Sequence, residues 1–75
     1  MHNNALGCFV RRTRKLRALS QQEVADAAGV DVNTIRKVEA GGNGGGFNLG
    51  TLDRIATVLR IPLERMARVA SRGRP

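Results

Sequence analysis

The feature that most constrains the fold is the segment QQEVADAAGVDVNTIRKVEAG, residues 21–41, in which one glycine separates two short amphipathic patterns. Apolar residues recur at helical spacing on both sides of Gly29, so each side predicts a short helix. Gly29 can adopt a positive φ at no steric cost, which makes it a natural end for the first of these helices. Asp31 is placed to cap the second. The segment therefore predicts two short helices joined by a tight turn.

Similar periodicity on both sides of this segment predicts three further helices. Ser20 and Glu23 form a Ser-x-x-Glu capping box at the start of the second helix, and Pro62 suits the first turn of the last helix. The predicted helices cover about residues 5–18, 21–28, 32–40, 49–59 and 62–71. The chain shows no internal repeat and no strand pattern, so we predict an all-α fold, a compact five-helix bundle.

The bundle is predicted to form one domain, residues 5–71, because a chain of 75 residues has room for only one small core. Residues 1–4, MHNN, and the basic tail 72–75 are predicted to be disordered. Residues 41–46, GGNGGG, predict a flexible connector. Asn48 follows this connector and is expected to cap the fourth helix.

Two helices carry apolar stripes that predict which side chains enter the core. The first helix presents an apolar face formed by Leu6, Phe9, Val10, Thr13 and Leu16. The last helix repeats apolar residues at i, i+3, i+4 and i+7, namely Leu63, Met66, Ala67 and Ala70. Both stripes are expected to pack in the core, with a dimer seam as the alternative for the last helix. Cys8 on the first helix is expected to be partly buried.

The charge balance points to a polyanionic partner. Lys and Arg number 13 against 6 Asp and Glu, which gives a formal net charge of +7. In so small a domain this excess favours DNA, RNA or an anionic membrane. No apolar stretch is long enough to span a membrane, and the N-terminus lacks a signal pattern, so we expect a cytoplasmic, nucleoid-associated protein. The single cysteine excludes an intrachain disulfide and fits a reducing compartment.

Residue patterns typical of enzymes and metal sites are missing from the sequence. One histidine and one cysteine cannot supply the ligand set that zinc needs. The glycine run lacks the lysine and the preceding strand of a phosphate-binding loop. We therefore predict no enzymatic activity, no cofactor and no metal.

The pair of short helices in residues 21–41 suits one kind of binding. A short helix, a tight turn that contains Gly and a second short helix form the helix-turn-helix pattern. Ala25 lies where the two helices cross, and Ile35 and Val38 anchor the second helix on its inner side. An α-helix fits the DNA major groove, where Asn, Arg and Lys side chains hydrogen-bond base edges. The residues that this packing leaves pointing outward are Val32, Asn33, Arg36 and Lys37.

A longer pattern surrounds this pair of helices. Its two stretches are LGCFVRRTRKLRALSQQEVADAAGVDVNTIRKVEAG and TLDRIATVLRIPLERM. Its defining positions are Arg14, Ser20, Gln21, Ala25, Gly29, Ile35, Glu39 and Gly41. Over residues 6–67 the pattern resembles the phage-repressor and Cro type of helix-turn-helix domain, the XRE-like family of prokaryotic regulators. The resemblance implies a lambda-repressor-like fold with the motif in helices 2 and 3, double-stranded DNA as partner, and a homodimer on inverted repeats.

The resemblance also implies roles for individual residues. Gln21 matches a phosphate-binding position at the N-terminus of the second helix, where free N–H groups and the helix dipole suit an anion. Thr34 matches another phosphate-binding position. Arg14 and Glu39 match an ion pair that ties the first helix to the end of the third. The positions that match the family's base-reading residues are Val32, Asn33 and Lys37.

The chain departs from the family pattern around this surface. Asp31 stands where many members have Ser, and its charge would oppose phosphate binding. Val32 offers no hydrogen bond, and the connector GGNGGG carries none of the basic residues that often follow the third helix. We therefore expect the excess positive charge to lie on the first helix and on the C-terminal tail. In the first helix, the run RRTRKLR either brings Arg11 and Lys15 to phosphates or leaves them on a solvated face.

These observations predict a sequence-specific, double-stranded-DNA-binding transcriptional regulator, a repressor in the simplest case. The alternative is an antitoxin or another protein-interaction module built on the same fold, with a toxin or regulator as its partner. A third hypothesis places the first or last helix on a membrane surface. The absence of Trp and the single Phe in those helices count against it.

Overall fold

The computed structural model describes residues 5–41 and 49–72. In this part of the chain there are five α-helices and no strand, which confirms the all-α five-helix prediction. The helices are α1 (Ala5–Leu16), α2 (Gln21–Ala28), α3 (Val32–Glu39), α4 (Leu49–Leu59) and α5 (Leu63–Arg72). The predictions for residues 1–4, for the glycine run after Gly41, for Asn48 and for residues 73–75 lie outside the described residues. Arg72 was predicted to belong to the disordered tail, but it is the last residue of α5.

Local capping signals set the start of the two helices that flank Gly29. The Ser20 hydroxyl accepts a hydrogen bond from the Glu23 N–H at 3.0 Å, and the Glu23 carboxylate accepts one from the Ser20 N–H at 2.8 Å. This is the capping box predicted for α2. The Asp31 carboxylate accepts a hydrogen bond from the Asn33 N–H at 2.7 Å and caps α3 as predicted.

The end of α1 falls two residues earlier than the periodicity predicted. Ala18 adopts the left-handed conformation with φ 56°. Its N–H donates to the Lys15 carbonyl at 3.0 Å, and the Leu19 N–H donates to the Arg14 carbonyl at 3.1 Å. These bonds form a Schellman motif, in which the left-handed residue is usually glycine. An alanine carries no such signal, so the sequence placed the end too late.

The same motif ends α2 and α4. Gly29 has φ 69°, and the following Val30 N–H donates to the Ala25 carbonyl at 3.0 Å. At the end of α4, Arg60 has φ 57°, and the following Ile61 N–H donates to the Ala56 carbonyl at 2.8 Å. Of these three helix ends, only that of α2 has glycine, the residue that favours this conformation.

The core lies where the helices meet. Helix α1 packs against α3 and α5, α2 packs against α3 and α4, and α4 also packs against α5. The buried apolar side chains are Val10, Val24, Ala25, Ala28, Ile35, Val38, Ile55, Ala56, Leu59, Ile61 and Met66. Ile61 belongs to this set although it lies between two helices, where no periodicity could indicate it. The buried core thus contains aliphatic side chains and one methionine, with Phe9 packed against it from a partly buried position.

Two predictions for α1 were wrong. Leu16 is 79% exposed, and Cys8 is also exposed. At about 100° per residue Leu16 lies roughly 120° around the helix from Val10, whereas Arg14 lies only about 40° from it. Arg14 therefore takes the inward position that Leu16 was expected to occupy.

In α5 the apolar stripe was also partly wrong. Met66 is fully buried and Leu63 is half-buried, as predicted, but Ala67 is exposed. Val69 is half-buried instead, because its position is closer to Met66 around the helix than that of Ala67. The side chain of Ala70 lies outside the described part of the structure. Helix α5 begins after Pro62, whose carbonyl accepts the first helical hydrogen bonds from the Arg65 and Met66 N–H groups.

Candidate nucleic-acid interface

The turn between α2 and α3 has the geometry that a helix-turn-helix needs. Ala25 is fully buried at the crossing of the two helices. A Cβ atom built on Gly29 would meet no other atom within 4 Å. Glycine is therefore needed here for its positive φ and not for lack of space. Val30, the residue after this glycine, is half-buried and packs against the core.

The inner side of α3 is held by apolar packing. Ile35 and Val38 are 0% and 1% exposed. Burial of an aliphatic side chain of this size contributes about 1.5–3 kcal/mol. Val32 at the start of the helix is half-buried and also packs against the core, so its side chain is less exposed than the sequence predicted.

The outer side of α3 presents polar and cationic side chains. We call Asn33, Arg36 and Lys37 the α3 face; all three are exposed. Arg36 donates from Nη1 to Oδ1 of Asn33 at 3.1 Å, which leaves the Asn33 NH₂ group outside this bond. Thr34 lies at the edge of the face and is half-buried. The α3 face thus combines amide, guanidinium and ammonium donors on one surface.

A buried ion pair connects α3 to α1. Arg14 Nε and Glu39 Oε2 are 2.6 Å apart, and Arg14 Nη2 donates to Glu39 Oε1 at 3.0 Å. The side chains are only 11% and 5% exposed. The hydrogen bond to Glu39 raises the pKa of the Arg14 guanidinium above its ordinary value, although burial acts in the opposite direction. The pair that the resemblance implied is therefore present, and it lies beneath the surface.

Gln21 extends this ion pair to α2. Its half-buried side chain donates from Nε2 to Oε1 of Glu39 at 3.1 Å, while Arg14 also donates from Nη1 to the Leu19 carbonyl at 2.8 Å. The Glu39 carboxylate therefore accepts hydrogen bonds from side chains of both α1 and α2. The sequence assigned Gln21 only to phosphate binding, and no local pattern indicates a partner 18 residues away.

The basic residues of α1 and of the turn after it are divided among different places. Arg11 and Lys15 are exposed, as a phosphate-binding role requires. Arg17 instead donates from Nε to the Leu59 carbonyl at 2.6 Å and so connects the end of α1 to the end of α4. Arg12 lines a groove between α1 and α5. The run RRTRKLR is therefore not a uniform basic surface.

Two other kinds of site are absent from residues 5–41 and 49–72. No helix there is long and apolar enough to cross a membrane. No group of three or more His, Cys, Asp or Glu residues there could hold a metal ion.

Comparison with known proteins bears on this geometry. A family model described as helix-turn-helix matches residues 10–66, which include both helices around Gly29 and most of the bundle. No curated protein is significantly similar to the chain.

Proposed function

Because the chain belongs to the helix-turn-helix family of DNA-binding regulators, we propose that it is a sequence-specific transcriptional repressor that binds double-stranded DNA with α3 in the major groove. The observation that carries the proposal is the α3 face: three exposed polar or cationic side chains on a helix whose other side is fully anchored. Repression follows when such a protein occupies a site that transcription needs.

The α3 face supplies the donors that base edges accept. Asn pairs with the N6 and N7 edge of adenine, and Arg or Lys with O6 and N7 of guanine. Asn33 lies in the first turn of α3, the part of a recognition helix that usually enters the groove first. Arg36 and Lys37 follow one turn later. Val32 has only a part of its side chain on the surface, which suits contact with a thymine methyl group.

Phosphate contacts are proposed at the margins of the α3 face. Gln21 opens α2, and the first turn of a helix attracts an anion through its backbone N–H groups and the helix dipole. Thr34 adds a hydroxyl, and Arg11 and Lys15 add charge from α1. Such contacts position the protein on the duplex, whereas Asn33, Arg36 and Lys37 carry the sequence information.

A homodimer is the proposed binding unit, because one helix as short as α3 covers only a few base pairs. Two copies related by a two-fold axis would place their α3 helices about 34–36 Å apart, which matches half-sites one turn of DNA apart. The expected target is therefore an inverted repeat.

Selection of bound duplexes from a randomised DNA pool tests the proposal. The expected result is a motif with dyad symmetry whose affinity falls steeply as salt increases, by a log–log slope of about −0.9 for each phosphate contact. A reporter gene placed behind the selected site should be repressed when the protein is expressed. A pool that yields no motif, with equal affinity for all duplexes, would show that the α3 face does not read sequence.

A further inference from the structure

A groove between α1 and α5 is not used by the proposed DNA-binding surface. It encloses a volume of about 530 Å³. The side chains that define it are Phe9, Arg12, Glu64, Arg65, Arg68 and Val69. We call it the α1–α5 groove.

The α1–α5 groove is cationic. Three guanidinium groups line it, against the single carboxylate of Glu64. Within residues 5–41 and 49–72 none of these arginines forms an ion pair with a carboxylate. The local excess of positive charge is thus left for a ligand that carries negative charge.

The groove also has an apolar floor. Phe9 and Val69 are half-buried within it, and the guanidinium of Arg65 lies 5.8 Å from the centroid of the Phe9 ring. This cation–π contact places one of the charges above the apolar floor. Leu16 lies two helical turns after Phe9 on the same side of α1 and is 79% exposed. The apolar strip therefore continues along α1 beyond the groove.

The position of the groove separates it from the α3 face. Helix α1 contacts both α3 and α5: Arg14 reaches α3 through its ion pair with Glu39, and Phe9 reaches α5 through its contact with Arg65. Arg14 marks the α3 side, and it lies roughly 140° around the helix from Phe9. A molecule bound in the groove would therefore approach from another direction than DNA bound to α3.

The combination of charge and apolar surface identifies the occupant. We propose that the α1–α5 groove binds an acidic amphipathic helix of a partner protein, with carboxylates on the arginines and apolar side chains on Phe9, Val69 and Leu16. Such a helix in a groove is a recurrent mode of recognition. A duplex would satisfy the arginines through phosphates, but its backbone has no apolar side chains for the strip. A second copy of this chain would bring the same excess of positive charge against itself.

The test is a titration of the ¹⁵N-labelled protein with a synthetic helix that carries glutamates on one side and leucines at i, i+3, i+4 and i+7 on the other. We expect amide shift changes concentrated at Phe9, Arg12 and residues 65–69. Arg68→Glu should weaken binding about tenfold, because like charges then meet in the groove. Arg54→Glu, on the exposed side of α4, makes the same change in net charge and should alter affinity by no more than about twofold.

The apolar contact is tested separately with Leu16→Gln, which changes an exposed side chain and should leave folding intact. This variant should weaken binding of the leucine-containing helix and leave unchanged the weaker binding of a control helix with serines in place of the leucines. Three results would overturn the proposal: no binding, equal losses for Arg68→Glu and Arg54→Glu, or shift changes centred on residues 33–37. Equal weakening of duplex binding and helix binding by Arg68→Glu would assign the groove to DNA instead.

Discussion

Arg14 of α1 and Glu39, the last residue of α3, form two hydrogen bonds of 2.6 and 3.0 Å, and both side chains are almost fully buried. Because Glu39 also accepts a bond from Gln21, one carboxylate joins α1, α2 and α3. The orientation of α3 therefore depends on a polar contact at its C-terminal end as well as on the apolar packing of its inner side.

Removing the carboxylate of this pair should destabilise the fold severely. Glu39→Ala leaves the Arg14 guanidinium buried without its counter-charge, which costs about 3–5 kcal/mol of unfolding free energy. Glu39→Gln keeps one acceptor and should cost less than Glu39→Ala. Urea denaturation followed by circular dichroism measures both. Glu64→Ala removes an exposed carboxylate and should stay within about 0.5 kcal/mol of the parent protein. Similar midpoints for Glu39→Ala and Glu64→Ala would contradict the structural role of the pair.

Substitutions on the α3 face should relax sequence preference without harming the fold. Asn33→Ala and Lys37→Ala each remove an exposed donor, so each is expected to reduce discrimination at one base pair by about 1–3 kcal/mol. Competition between the selected duplex and single-base variants measures this directly. Arg54→Ala serves as the matched control, because it removes an exposed cation from α4. If both α3 variants keep the full sequence preference of the parent protein, Asn33 and Lys37 do not read base pairs.

Lys15 and Arg17 are two residues apart but should respond in opposite ways. Lys15→Ala is expected to weaken binding to every duplex and to reduce the salt slope by about one contact, with little change in stability. Arg17→Ala removes the bond to the Leu59 carbonyl and should cost about 1 kcal/mol of unfolding free energy, with DNA affinity almost unchanged. Thermal unfolding and duplex titration of both variants give the two readouts. A loss of DNA affinity in Arg17→Ala equal to that in Lys15→Ala would assign Arg17 to the phosphate-binding surface as well.

Ala18 offers a simple route to a more stable protein. Its φ of 56° places a Cβ atom in the left-handed region, where glycine has no steric penalty. Ala18→Gly should therefore raise the unfolding free energy by about 0.5–1 kcal/mol, since relief of strain exceeds the added entropy of the unfolded chain. The control is Ala27→Gly, at an exposed position within α2, which should lower it by about 0.5–1 kcal/mol. A decrease of equal size in both variants would show that the turn at Ala18 carries no strain.

Some features of the candidate site follow from local sequence patterns, and others depend on contacts between residues far apart in the chain. Ile35 and Val38 fall on one side of a short helix by periodicity alone, so the outward positions of Asn33, Arg36 and Lys37 were predictable. Val32 was predicted to point outward but is half-buried against the core, because its exposure depends on how closely the other helices approach the start of α3. The contact of Gln21 with Glu39 had no signal in the sequence, since neither residue has a neighbour along the chain that requires it.

The sequence by itself determined where α2 begins and ends and where α3 begins, because those signals act within a few residues. Ser20, Asp31 and Gly29 satisfy or turn the backbone next to them, whatever the rest of the chain does. Only the tertiary structure decided that Arg17 bonds to the end of α4 and that α1 and α5 enclose a cationic groove. Such features arise from the angles at which helices pack, and those angles depend on side chains that are far apart in the chain.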